Sequence, residues 1–119
     1  MKRKAMTMAR LRAELRKFAG NRDWQQFHTP KNLAMALSVE AAELLEHFQW
    51  LTAAQSTRLD ARRRRAVAHE IADVLIYLTR LSDVLEIDPL RAAKSKLRLN
   101  ARRYPVAKAR GNARKYNDL

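Results

Sequence analysis

Two helical stretches constrain this chain more than any other feature. They are Val39-Glu40-Ala41-Ala42-Glu43-Leu44-Leu45 and His69-Glu70-Ile71-Ala72-Asp73-Val74-Leu75. Each sets two carboxylates three residues apart inside an otherwise apolar segment. On a helix, that spacing puts both side chains on one face, one above the other. A carboxylate in an apolar setting needs a partner, a proton or a metal. A fold that brings the two helices together therefore gathers Glu40, Glu43, Glu70 and Asp73 into one all-oxygen cage, a donor set suited to Mg²⁺ or Mn²⁺.

The rest of the composition agrees with helices. Among 119 residues there are only two glycines and three prolines. Few segments alternate in the manner of strands, so the expectation is an all-α fold in a single domain, residues 1–119. A chain this short builds a small core, and oligomerisation would help it. There is no cysteine, which excludes a disulfide framework, a thiolate zinc site and a cysteine nucleophile. No apolar run reaches membrane-spanning length, and the basic start at Met1-Lys2-Arg3-Lys4 leads into no apolar signal region, so we expect a cytoplasmic protein without a membrane partner. The formal charge is +13, a field that attracts polyanions. Only 12 acids are present, and four of them fall in the two stretches above.

Taken in order, Thr7 caps a first helix that should run to about Ala19 and stop at Gly20, with Leu11, Leu15 and Phe18 facing the core. Residues 21–28 read as an ordered loop carrying Trp24. Thr29-Pro30 opens a second helix reaching about Leu51. Its core stripe is Leu33, Leu37, Ala41, Leu44, Phe48 and Leu51, and the acids lie about 100° to one side, followed by His47 and Trp50. Thr57 with Asp60 resembles a capping box for a third helix ending near Glu86. Its core stripe is Val67, Ile71, Val74, Leu78, Leu81 and Leu85, with Glu70, Asp73 and Tyr77 beside it. Packed antiparallel, the two helices would turn their acid stripes to a shared space. Asp88-Pro89 starts a fourth helix to about Arg102, which places Lys96, Asn100 and Arg103 on one polar face. Residues 1–6 and about 106–119 read as tails, the second either loose or tied down by Tyr116 and Leu119.

A lone pair of acids at this spacing is usually a solvated ion-pairing face. Two such pairs, embedded in alanine and leucine with no Lys or Arg four residues on, favour metal binding. A Glu-x-x-His pattern of the di-iron kind is missing. Mg²⁺ keeps few all-protein ligands, so substrate phosphates would complete the cage. A spare carboxylate would serve as general base on water. Lys96, Asn100 and Arg103 would bind phosphate oxygens. Trp24 and Trp50 are the rings on which a base could stack. Tyr77 fits either the acid site or packing, and His28 and His47 read as structural or surface residues.

The motifs also run in a familiar series. It comprises Asn21-Arg22-Asp23-Trp24-x-Gln26-Phe27-His28-x-Pro30-x-Asn32-Leu33, Glu40-x-x-Glu43-Leu44-x-Glu46-x-Phe48-Gln49-Trp50, Glu70-x-x-Asp73-Val74-Leu75-Ile76-Tyr77-Leu78 and Lys96-x-x-x-Asn100-x-Arg102-Arg103-Tyr104-Pro105. It covers nearly the whole chain and resembles the MazG-like nucleoside triphosphate pyrophosphohydrolases, in particular their dCTP pyrophosphatase branch. The resemblance implies a four-helix MazG-like bundle, assembled as a homotetramer (or a dimer) with sites built across subunits. It implies Mg²⁺-dependent hydrolysis of a nucleoside triphosphate between the α- and β-phosphates, giving monophosphate and pyrophosphate. By the same resemblance the four acids hold Mg²⁺, Trp24 and Trp50 flank a pyrimidine, and Tyr77, Lys96 and Asn100 belong to the nucleotide site. The implied task is house-cleaning of dCTP or modified cytosine nucleotides. The chain departs from the branch at Leu15, where a histidine is expected, and in a shorter connection before the third helix. Both departures bear on the base rather than on the reaction.

Two other readings compete. A basic helical module that binds nucleic acid would use the charge and the Arg62 to Arg65 run, but it leaves four acids facing phosphate. A purely structural oligomer would place the acids in interface ion pairs.

Overall fold

The structure, a computed structural model, describes residues 5–119, so the basic run at 1–4 and most of the expected tail at 1–6 lie outside the described residues. Among the described residues there are helices and turns and no strand, as expected for an all-α chain. In chain order, the helices are α1 (Met8–Asn21), α2 (Pro30–Glu46), α3 (Ala53–Ser56), α4 (Ala61–Val84), α5 (Pro89–Arg103) and α6 (Val106–Ala109), with single 3₁₀ turns at Gln25–Phe27 and Tyr116–Asp118. The chain forms two compact units, one through Glu86 and one from Ile87 to Leu119.

Local chemistry explains where the helices begin. Thr7, Thr29 and Asp60 each accept a hydrogen bond from the backbone N–H three residues on. Asp88 accepts two, from Leu90 and Arg91. Each satisfies a donor that the first turn leaves open. The expected pairing of Thr57 with Asp60 is not made: Asp60 alone caps α4, and Thr57 donates its hydroxyl to the Ala54 carbonyl. The capping box lies one connection earlier, where Thr52 and Gln55 bond each other's backbone and form α3.

The helix ends differ more from expectation. Gly20 does not stop α1. Its Cα packs close to the Gln25 side chain, and a Cβ there would meet Gln25 Nε2 at 3.1 Å. The stop is Asp23, in the left-handed region with φ 55°. Its N–H bonds the Gly20 carbonyl at 3.2 Å, and the Trp24 N–H bonds the Ala19 carbonyl at 2.9 Å. This is the paired closure that usually carries glycine at the left-handed position. The apolar contact that accompanies such a closure is Trp24 edge-on against Phe18, with ring centroids 5.8 Å apart. The second helix also ends early, at Glu46 rather than near Leu51. Phe48 and Leu51 donate to carbonyls three residues back, which turns the chain although the apolar spacing continues.

In the first unit, α1 and α2 both pack on α4. His47 at the end of α2 shares a cavity with Arg62 and Arg63 at the start of α4, and His28 just before α2 meets Arg80 late in α4. The two helices are therefore antiparallel. Their inward faces are rotated from the expected stripes. Leu33 and Val67 are buried and Leu37, Leu44 and Val74 half-buried, but Ala41, Ile71, Leu78 and Leu85 are exposed. Ala36, Glu40, Glu43, Glu70, Asp73 and Tyr77 are half-buried instead. The seam runs between the apolar stripe and the acid stripe, so the acids lie in the contact rather than beside it. Only Ala19, Leu33 and Val67 are fully buried apolar residues among those described.

In the second unit the chain beyond Pro105 is tied down. Tyr116 stands edge-on to Tyr104 at 6.1 Å, and the Arg103 guanidinium lies 4.7 Å from the Tyr116 ring centre.

Because Asp23 occupies a left-handed position, Asp23→Gly should raise stability by up to about 1 kcal/mol, and Asp23→Val should lower it by a similar or larger amount. Urea unfolding of the three proteins measures both differences.

Candidate metal and nucleotide site

The seam between α2 and α4 holds the densest group of acids. Carboxylate oxygens of Glu40, Glu43 and Glu70 all lie within 4.8 Å of one another. Oε2 of Glu40 and Oε2 of Glu70 are buried and accept no hydrogen bond. Leaving such an atom without a donor costs free energy, and like charges at this range add to the cost. Asp73, one turn beyond Glu70, adds its charge to the same field.

The Glu40 carboxyl responds by holding its proton. Burial, first, and then the Glu43 carboxyl, the Asp73 charge and Glu70 push it from its ordinary value of 4.5 up to about 7. A divalent cation would relieve both problems at once, since it gives the orphaned oxygens a partner and cancels the repulsion. The residues fit such an ion. The donors are all hard oxygens with neither sulfur nor imidazole among them, which favours Mg²⁺ or Mn²⁺ over zinc.

Beside the acids lies a cavity of about 150 Å³ lined by Leu15, Phe18, Ala19, Trp24, His28, Asp73, Ile76, Tyr77 and Arg80. Asp73 thus belongs to both the acid stripe and the cavity wall. Trp24 and Tyr77 come together here, and Leu15 faces the same space. Trp50 does not line it. It lies in the turn after α2 and is 86% exposed in the single chain. Lys96, Asn100 and Arg103 all stand on α5 in the second unit, with Asn100 half-buried and Arg103 over the Tyr116 ring.

Behind the cavity runs a brace that the sequence reading missed. Arg16 on α1 grips Asp83 on α4 with two hydrogen bonds, one of 2.7 Å from Nε. Arg80 is 7% exposed and donates to Asp83 at 3.3 Å and to His28 Nδ1 at 3.1 Å. The Arg16 hydrogen bonds hold the Asp83 carboxyl below the usual range, with Arg80 and Arg12 acting in the same direction and burial opposing. The sequence did carry a sign of this. Continuing the acid stripe from Glu70 through Asp73 and Tyr77 by helical steps leads to Arg80 and then to Asp83 or Val84.

A proton on Glu40 links pH to stability. The folded chain keeps it to about pH 7, whereas the unfolded carboxyl loses it near 4.5. Stability from this group is therefore undiminished below about 4.5 and falls as pH rises to about 7. In metal-free buffer, the stability of Glu40→Gln relative to wild type should climb across that window and level off on either side, as read by urea unfolding at a series of pH values.

A model of the MazG-like family matches residues 35–119. The dCTP pyrophosphatase 1 proteins of Rattus norvegicus and Homo sapiens are each 46% identical to the chain over 112 residues, which is 92% of this chain and 64% of the relative. The chain therefore spans under two thirds of the length of these relatives. A crystal structure of a pyrophosphatase from Archaeoglobus fulgidus shares the fold at a TM-score of 0.80 and 46% identity, covering 88% of this chain and 98% of that one. Family match, sequence and fold agree with the paired acids on α2 and α4, and the chain belongs to the MazG-like family.

Proposed function

We propose that the protein is a nucleoside triphosphate pyrophosphohydrolase that depends on Mg²⁺, with Mn²⁺ as a substitute. The observation that carries this reading is the meeting of Glu40, Glu43 and Glu70, with two buried oxygens that accept no hydrogen bond. Such a group is costly to stability and has a use if it holds a cation. The reaction breaks the phosphoanhydride between the α- and β-phosphates and yields a nucleoside monophosphate and pyrophosphate. The substrate we favour is dCTP or a modified cytosine nucleotide, since the similar mammalian proteins are named dCTP pyrophosphatase 1. Its task would be cleaning the cytoplasmic nucleotide pool.

In this reading Glu40, Glu43, Glu70 and Asp73 are the metal ligands and catalytic carboxylates. The metal neutralises phosphate charge and lowers the pKa of water. A carboxylate not committed as ligand takes the proton from the attacking water. Trp24 and Tyr77 contact the base through the cavity they line. Trp50, Lys96, Asn100 and Arg103 are the further residues we assign to nucleotide binding.

We also propose that the chain acts as a homo-oligomer, a dimer or tetramer. Three fully buried apolar residues among those described make a thin core, while Val39, Leu45, Ile71 and Leu75 stay exposed on α2 and α4. Apolar surface of that kind marks an interface. Among the described residues no helix is long and apolar enough to cross a membrane.

Pyrophosphate release from a panel of nucleoside triphosphates tests the reading. Turnover should require Mg²⁺, stop with EDTA, and fall by about 100-fold or more in Glu43→Ala. No turnover with any triphosphate, together with salt-sensitive nucleic-acid binding that Glu43→Ala leaves intact, would replace the enzyme with a binding module.

A further inference from the structure

The cavity beside the acids contains one polar group whose state is fixed by its surroundings. His28 Nδ1 accepts a hydrogen bond from Arg80 Nε at 3.1 Å. A guanidinium only donates and keeps its protons. Nδ1 therefore carries a lone pair, and in the neutral ring the hydrogen must sit on Nε2. Burial, and then the Arg80 charge, lower the His28 pKa, so the neutral ring prevails near pH 7.

The arrangement has little freedom. Arg80 is buried and also donates to Asp83, which Arg16 grips from α1. The His28 ring is held edge-on to Trp24 at 6.3 Å. Nε2 has no partner among the described residues. The surrounding wall of Leu15, Phe18, Ala19 and Ile76 offers no polar side-chain atom. Arg80 is already engaged, and Asp73 belongs with the acids. A ring held by Arg80, its Nε2 without a partner among the described residues, thus lines a mainly apolar cavity whose other polar groups are the Trp24 indole, the Tyr77 hydroxyl and the Asp73 carboxylate.

The geometry points to His28 as a specificity-determining residue of this cavity: its Nε2–H, locked by Arg80, donates to an acceptor on the base edge of the substrate. The inference rests on the pyrophosphohydrolase reading and adds to it the atom that sorts bases. A pyrimidine edge with adjacent carbonyl oxygen and unprotonated ring nitrogen, as in cytosine, satisfies this donor. The Nε2–H is committed to the ring nitrogen N3 rather than to the O2 carbonyl that all three pyrimidines share: cytosine accepts there, whereas uracil and thymine carry a hydrogen on N3, and two donors facing each other leave both unpaired. Arg80 is the positioning residue, because it acts on the substrate only through the imidazole.

Two variants and one spectroscopic measurement test this. His28→Phe keeps a planar ring and removes the N–H; His28→Gln returns an amide N–H near the Nε2 position. His28→Phe should raise KM for dCTP about 10-fold or more, leave kcat within about 3-fold, and shrink the preference for dCTP over dUTP, while His28→Gln restores much of that preference. Heteronuclear NMR of the wild-type imidazole nitrogens should show the proton on Nε2 and a shift of that resonance with dCMP that dUMP does not match. This measurement decides the matter should His28→Phe fail to fold. An unchanged base preference in His28→Phe, a proton on Nδ1, or equal shifts with dCMP and dUMP would overturn the role of His28 and leave the reaction standing. Wild-type protein that hydrolyses no triphosphate would instead overturn the reading beneath it.

Discussion

Like charges in a half-buried seam set the terms for this fold. Glu40 and Glu43 on α2 meet Glu70 on α4 where a soluble helical protein would ordinarily place leucine or alanine. The carboxylates repel, two of their oxygens lack donors, and Glu40 keeps a proton to about pH 7. Apolar contacts from Leu33, Leu37, Leu44, Val67 and Val74 hold the helices together against that cost. A cluster of this kind costs stability while leaving hard oxygen donors pre-arranged, a trade that functional sites commonly make. The same two helices also carry exposed apolar residues, Val39 and Leu45 on α2 and Ile71 and Leu75 on α4.

The second structural element is the brace from Arg16 through Asp83 and Arg80 to His28. Its charges alternate, so it stabilises where the acid cluster repels. It fastens α1 to α4 and reaches His28, two residues before α2. Together with the left-handed turn at Asp23, which seats Trp24 on Phe18, it gives the cavity rigid walls. The acids and the cavity share Asp73, so the brace fixes the cavity walls beside the acid cluster.

Much of this was legible in the sequence, for local reasons. Thr7, Thr29-Pro30 and Asp88-Pro89 cap helices through bonds to the next three residues, which sequence spacing captures directly. The paired acids were visible because two motifs of the same spacing repeat in apolar surroundings. Less local properties were not. Periodicity gives the width of an apolar face but not which edge of it turns inward, so the acids read as lying beside the seam when they lie in it. Leu44, Phe48 and Leu51 keep helical spacing across a turn that no glycine or proline announces, which put Trp50 on a helix it has already left. Asp23 in place of glycine hid the end of α1. His28 and Arg80 are separated by 52 residues, and only the packed helices bring them together.

The account turns on whether the acid seam is a metal site. Manganese(II) binding, followed by electron paramagnetic resonance in wild type and Glu40→Gln, measures that directly and needs no substrate. The account predicts a bound ion in the wild type, displaced by Mg²⁺, and at least about 10-fold weaker binding in the variant. Equal binding by both proteins, or none by the wild type, would contradict it.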